Sequence, residues 1–288
     1  MITEILVAAL VFFLIFIAFV GYKMVKPPRI VGNWTPKDLG FEYKDIEIIT
    51  EDNVKLDGWW IENDSDKTVI PLHGYISSRW AEHYMKPTIE FLLEEGYNVL
   101  VFDFRGHGKS GGKYTTVGDK EILDLKAAVK WLRNNYPEKS KRIGVIGFSM
   151  GALVAIRGLS EVEEICCGVA DSPPIYFDKT GARGMKYFAK LPAWLYLFVK
   201  PFSEIFSGGR TMNVLDYANK IRKPLLLIIG RKDLLVEVGE VQEFYERNKK
   251  INPNVELWVT DAPHVRTIQV SPEAWKSRVR QFLKRWMG

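Results

Sequence analysis

From Ile5 to Val20 the chain carries no charged or strongly polar side chain, so a helix through it is apolar on every face. With its flanks, Ile2 to Tyr22 approaches the ~20 residues needed to cross a bilayer. Pro27-Pro28 and the run to Pro36 then read as a stiff linker. From Tyr43 the pattern is strand-like. Ile46 and Ile48, a turn at Glu51-Asp52-Asn53 and the run Val54 to Ile61 predict a β-hairpin.

Short apolar runs follow at Val69–Leu72, Asn98–Phe104, Ile143–Ile146, Ile165–Ala170, Leu225–Ile229 and Val255–Val259, each predicting a buried strand. Helical periodicity lies between them. Glu82–Glu95 turns Met85, Ile89, Leu92 and Leu93 inward and ends at Gly96, and Asp119–Asn134 does the same with Ile122, Leu125, Val129 and Leu132. Val238–Asn248 and Pro272–Trp286 complete the series, the last with Trp275, Val279, Phe282 and Trp286 inward. Strand–helix alternation predicts an α/β fold, a mostly parallel sheet with helices on both faces. The interval Ser172–Tyr217 breaks the rhythm. It is long, rich in aromatics and Pro, and predicts a small helical cap at about 173–217, within which Ala193–Val199 has the character to touch a bilayer. The expected organisation is an anchor at 1–22, a linker at 23–42 and a catalytic domain at 43–288.

Composition narrows the function. At 288 residues, 47% hydrophobic and 26% charged, the chain has the makings of a sizeable core. A net charge of +5 is spread along the chain without a basic stripe or a recognisable module, which argues against nucleic-acid binding. Such a charge suits an anionic membrane surface better. The first segment begins with Glu4 and no Lys or Arg, and lacks a good cleavage site, so an uncleaved, single-pass anchor is expected. Lys23, Lys26, Arg29 and Lys37 follow it, which places the catalytic domain on the cytoplasmic side. The two cysteines, Cys166 and Cys167, are adjacent in an apolar run and read as small core residues. They cannot make a metal site alone, and the absence of a disulfide framework favours a reducing compartment.

The chemistry centres on Gly147-Phe148-Ser149-Met150-Gly151. A bare Gly-x-Ser-x-Gly is a weak signal, but here an apolar strand enters it and a small-residue helix leaves it. That context strains the serine and exposes its hydroxyl at the top of a sheet. A serine hydroxyl needs a base within hydrogen-bond reach and an acceptor to orient that base. Of four histidines, His73 and His107 sit in corners and Gly-rich loops, and His83 opens a helix. His264, just past the last strand, is the expected base. Asp233, past the preceding strand, is the expected acid, with Asp171 its competitor. Asp103 is expected to brace the loop from Arg105 to Gly108. The backbone N–H groups of Met150 and Tyr75 are placed to hold an oxyanion, the second because His73-Gly74 turns its loop back over the serine.

With these residues in hand, the chain resembles the serine α/β-hydrolases, and most closely the small-cap esterases, monoacylglycerol-lipase-like enzymes and serine-aminopeptidase-like hydrolases. Five pieces in order carry the resemblance over about residues 43–288: His73-Gly74 with Ser77-Ser78, Asp103-Phe104-Arg105-Gly106-His107-Gly108-Lys109-Ser110, the serine pentapeptide, Gly230-Arg231-Lys232-Asp233 and the His264 loop. It implies eight strands, a cap after the sixth, and acyl transfer to water without a cofactor or metal. Pro263 stands where many relatives carry glycine before the histidine. The expected activity is hydrolysis of carboxylic esters, of short or medium acyl chain or of a monoacyl lipid, at a membrane. A peptidase on the same residues would need a carboxylate in the cap to hold an amine, and Glu204 and Asp178 are the candidates. Serine as nucleophile argues against a dehalogenase or epoxide hydrolase. A non-catalytic, membrane-tethered binding module is the alternative from another class.

Overall fold

The computed structural model describes residues 1–288. Eight strands form one sheet: β1 (Lys44–Ile49), β2 (Lys55–Ile61), β3 (Lys67–Leu72), β4 (Asn98–Phe102), β5 (Arg142–Phe148), β6 (Ile165–Asp171), β7 (Leu225–Gly230) and β8 (Val255–Thr260), in the order β1-β2-β4-β3-β5-β6-β7-β8. The hairpin β1–β2 and the pair β2–β4 are antiparallel, and every other pairing is parallel. The parallel strands are buried on both faces, which is why β4 and β7 read as unbroken apolar runs rather than alternating ones. The hairpin turn is held by Val54 N–H to Thr50 Oγ1 at 2.9 Å, with Asn53 taking the left-handed conformation it needs.

Helices α1 (Ile2–Val25), α2 (Met85–Glu94), α3 (Glu121–Asn135), α4 (Met150–Glu161), α5 (Phe177–Tyr187), α6 (Tyr196–Ser207), α7 (Val238–Lys249), α8 (Thr267–Val270) and α9 (Pro272–Met287) complete the chain. One core lies under α3, α4 and α7, the other under α2 and α9. On α9 the buried stripe is Trp275, Val279, Phe282, Leu283 and Met287, while Trp286 is only half-buried, because the stripe drifts by one position over the last turn. β3 is flanked by β4 on one side and β5 on the other, so the chain reverses direction across the sheet there and leaves a crevice at the strands' C-terminal ends. Cys166 and Cys167 are free thiols, the second buried.

The insertion between β6 and β7 forms a cap of α5, a 3-10 turn at Ala193–Leu195, α6 and a second 3-10 turn at Val214–Tyr217. α1 does not stand clear of it. Phe13, Phe16, Ile17, Val20, Gly21 and Met24, spaced as one helical stripe, pack on α6, with Ile17 meeting Met185, Leu195, Tyr196 and Val199. Gly21 makes the close approach: a Cβ there would lie 2.9 Å from Phe202 Cβ and 3.1 Å from the Val199 carbonyl. A uniformly apolar sequence hides this stripe, since a docked face and a free face look alike in it. Residues 23–42, expected as a linker, are fastened to the catalytic domain. Thr115 N–H donates to the Val25 carbonyl at 2.9 Å, Arg29 donates to the carbonyls of Ser110 and Gly112, and Trp34 and Trp80 each donate an indole N–H to the other's carbonyl.

Candidate active site

Ser149 sits between β5 and α4 with φ 52° and ψ −114°, a strained conformation for a residue with a side chain. The strain survives because the packing around it leaves no alternative. A Cβ on Gly147 would strike the Gly151 carbonyl, and one on Gly151 would strike the Leu72 carbonyl. Ser149 N–H is tied to the Asp171 carbonyl at 2.9 Å, which aims the hydroxyl outward.

His264, in the loop after β8, places Nε2 2.9 Å from Ser149 Oγ and Nδ1 2.7 Å from Asp233 Oδ2. Asp233, after β7, is buried. Its Oδ1 accepts the N–H groups of Leu235 at 2.9 Å and Val236 at 3.0 Å. One carboxylate oxygen thus fixes its own turn and the other faces the imidazole. With an ionised carboxylate at Nδ1, that nitrogen carries the proton and Nε2 is left to accept from the serine. Pro263 does not prevent this alignment. Its carbonyl accepts Arg266 N–H at 3.1 Å and closes the turn that presents the ring.

Asp171, the competitor for the acid's place, has no hydrogen bond to His264. Its Oδ1 accepts from Ser172 Oγ at 3.0 Å and its Oδ2 has no partner, and burial pushes its carboxyl up to about 7. Asp103 accepts Arg79 N–H at 2.9 Å and Lys109 N–H at 3.0 Å and is ion-paired to Arg79, which braces the loop after β4. His73 is fully buried. Its Nε2 accepts Phe104 N–H at 2.9 Å, so Nδ1–H donates to the Gly74 carbonyl at 2.8 Å. Burial first, and the neighbouring His107 next, hold its pKa well below the usual range, so it stays neutral. His107 is buried as well, with Nδ1 3.0 Å from the Arg105 carbonyl. His83 is half-exposed beside Tyr84.

Met150 is the first residue of α4, so its N–H has no partner within the helix. Tyr75 lies in the loop after β3, which folds over the serine: Gly74 Cα is close enough that an added Cβ would sit 3.4 Å from Ser149 Cβ. Two supports of this geometry lie outside any recognisable motif. Tyr84, buried, accepts Gly74 N–H at 3.0 Å on its hydroxyl and donates to Ser77 Oγ at 2.5 Å. Ser172, at φ 56°, accepts Val265 N–H at 3.1 Å and so holds the residue after His264. Ser77 belongs to the His73-Gly74 piece of the resemblance, but a Tyr and a Ser with remote partners leave no local signal. No three His, Cys, Asp or Glu side chains come together as a metal-ligand set. A cleft of about 450 Å³ opens between the cap residues Tyr187 and Ala193 and the loop at Asp233 and Leu234.

A strained serine at a strand–helix elbow, facing a histidine and a buried aspartate on an eight-stranded sheet, defines a serine α/β-hydrolase. Comparison with known proteins agrees. The family model of the X-Pro dipeptidyl-peptidases (S15 family) matches residues 56–196. The uncharacterized protein YqkD of Bacillus subtilis is 30% identical over 77% of this chain and 72% of its own length, and the uncharacterized membrane protein YNL320W of Saccharomyces cerevisiae is 24% identical over 75% and 73%. Among solved structures, the Pyrococcus furiosus esterase Pf2001 is 85% identical, with a TM-score of 0.84 over 93% of this chain and all of that one. Est1E of Butyrivibrio proteoclasticus, 21% identical with a TM-score of 0.65 over 83% of this chain and 98% of that one, shares the fold. The chain belongs to the serine α/β-hydrolase superfamily, in its esterase-like branch. It is a serine hydrolase.

Proposed function

We propose that Ser149 is the nucleophile, His264 the general base and acid, and Asp233 the group that orients His264, in hydrolysis of carboxylic esters through an acyl-enzyme. The observation that carries this is the unbroken line of hydrogen bonds from Ser149 Oγ to His264 at 2.9 Å and on to Asp233 at 2.7 Å. Ser149 Oγ attacks the ester carbonyl as its proton passes to His264 Nε2. The N–H groups of Tyr75 and Met150 take the charge that develops on the carbonyl oxygen. His264 then protonates the departing alkoxide. Water, deprotonated by the same nitrogen, cleaves the acyl-enzyme.

The acyl group is short to medium, or belongs to a monoacyl lipid, because the cap as a whole is rich in aromatics, while the cleft beneath it sets Ala182, Tyr187, Ala193 and Leu234 beside the charged Lys179, Arg183, Lys186 and Glu237. The solved relative named as an esterase supports ester over amide. So do the two carboxylates that a peptidase would use to hold an amine. Asp178 is paired with Lys200 at 2.8 Å, and Glu204 accepts Thr211 N–H at 2.8 Å. The domain at 43–288 carries the chemistry and the apolar α1 holds it at a membrane, on the cytoplasmic face given the lysines and arginine that follow.

Hydrolysis of a p-nitrophenyl ester ladder from acetate to palmitate, by the intact chain and by Ser149→Ala, tests the reading. Turnover should peak at one chain length and fall on the order of 10⁶-fold in the variant. A loss of less than tenfold overturns the assignment of Ser149.

A further inference from the structure

The cap carries an apolar face that nothing in the chain covers. On α6 and the turn before it, Trp194, Leu197, Pro201 and Ile205 point outward, with Leu197 and Ile205 about three-quarters exposed at 73% and 74%, and Phe198, edge-on to Phe13, is left half-exposed at their margin. These positions recur at helical spacing, so they form one stripe. The two charged side chains on α6 are tied up, Lys200 with Asp178 and Glu204 with Thr211 N–H. This stripe lies beside α1, whose residues from Ile2 to Phe12 are all exposed.

α1 and α6 run parallel in contact: Phe13 meets Phe198 with ring centroids 5.8 Å apart, Gly21 meets Phe202, and Tyr22 meets Phe206 at 5.7 Å. α1 has 24 residues, and a crossing takes ~20, so any crossing window within it includes Phe13 to Gly21. The cap helix therefore accompanies α1 wherever α1 goes. End-on insertion would drive the start of α6 toward the bilayer centre, together with Lys186 and Lys190, which are exposed just before it. Cations are strongly disfavoured there. Lying along the surface, the pair keeps Lys186 and Lys190 near one end and Lys23 and Lys26 near the other at the level of the headgroups, where anionic lipid attracts them.

We propose that α1 and α6 form a single membrane-embedded surface lying in the near leaflet of a lipid bilayer, and that the substrate is an ester resident in that leaflet. The occupant of the apolar stripe is lipid. The cleft that reaches Asp233 is lined by Ala193, next to Trp194, and by Lys179, Arg183 and Lys186, so its mouth opens beside the embedded face at the level where cations meet the headgroups. This rests on the membrane attachment and ester hydrolysis proposed above, but it replaces a bilayer-crossing, single-pass anchor by a helix that lies in one leaflet together with the docked cap.

The test uses the intact chain with sealed vesicles of phosphatidylcholine and phosphatidylglycerol whose acyl chains carry bromine, a contact quencher of tryptophan. Wild-type emission should be quenched, and Trp194→Phe should lose most of that quenching. Equal quenching in both, with the protein still floating alongside the vesicles, leaves the anchor in place and overturns the embedded cap. Failure to float removes the anchor reading and this one together. A tag on Met1 should be cut by protease added outside; a protected tag means that α1 crosses, and overturns the one-leaflet placement. A dimer that shields Trp194 from bromine assigns the stripe to a second copy and overturns the lipid assignment. The double variant Leu197→Glu, Ile205→Glu should hydrolyse a monoacylglycerol in vesicles about tenfold more slowly, and soluble p-nitrophenyl butyrate within about twofold of wild type. Equal rates for variant and wild type on both substrates overturn the proposal.

Discussion

The hydroxyl of Tyr75 donates to the carbonyl of Met24 at 2.6 Å. Tyr75 is the residue whose N–H we propose as an oxyanion donor, and Met24 lies in the last turn of α1. One side chain therefore joins the loop after β3, with its proposed oxyanion donor, to the N-terminal helix α1. Burial of the phenol raises its pKa, so it stays a neutral donor at any working pH. Removing the hydroxyl leaves a part-buried carbonyl short of its partner and loosens the loop, at ~1 kcal/mol. Tyr75→Phe should lower kcat on p-nitrophenyl butyrate about fivefold with KM nearly unchanged, because the donor acts on the transition state more than on bound ester. A changed KM at constant kcat would assign Tyr75 to substrate binding instead.

The two aspartates near His264 should separate by function. Asp233→Asn presents an amide to Nδ1, which favours the wrong tautomer, and kcat should fall on the order of 10⁴-fold. Asp171→Asn touches neither ring nitrogen of His264 and should leave kcat within about threefold. Steady-state kinetics on both variants decide it, and the reverse order of effects would exchange the two assignments.

Much of this was legible in the chain. Strands announce themselves where both faces are buried, as in β4 and β7, and the residues at their C-terminal ends then lie along one rim. That is why order and spacing point to Ser149, Asp233 and His264 as neighbours, which hydrogen bonds of 2.9 and 2.7 Å join in the structure, and why the break in rhythm from Ser172 points to the insertion between β6 and β7. The sequence is mute where partners are remote and chemically ordinary. Tyr84 reaching Gly74, Ser172 reaching Val265 and Arg29 reaching the loop at Ser110 have no periodicity to betray them. The docking of α1 was hidden for the opposite reason, since a segment apolar on all sides gives no contrast between its faces.

Asp171 also gives the protein a pH signature. Burial raises its carboxyl from about 3.8 to about 7 in the folded state. Between those values the folded chain holds a proton that the unfolded chain has lost, so stability falls as pH rises from about 4 to about 7 and is level above. The contribution is on the order of 4 kcal/mol. Melting temperatures of wild type and Asp171→Asn, followed from pH 5 to 8, should converge at the acid end and part at the alkaline end, with the variant higher. Parallel curves would mean that Asp171 is ionised in the fold, against its surroundings.

Gly21 fixes how closely α1 approaches the cap. A β-branched side chain there meets backbone, the Ser203 nitrogen at 3.0 Å and the Val199 carbonyl at 3.1 Å, and backbone of a packed helix gives way less readily than a side chain. Gly21→Val should therefore force the helices apart at a cost of ~1–3 kcal/mol, while Gly21→Ala, which adds only the Cβ, should cost less. The loss falls on the α1–α6 contact and not on the sheet, so the main melting transition should move little. Limited proteolysis reports the contact directly: the exposed stretch Arg29–Gly32, guarded in the native chain by Arg29 on the Gly112 carbonyl and by Gly32 against Trp80, should be cut sooner in Gly21→Val than in wild type. Hydrolysis of soluble esters should drop as well if the strain passes through Met24 to Tyr75. Faster cutting with unchanged kcat would confine Gly21 to docking and sever it from the oxyanion loop.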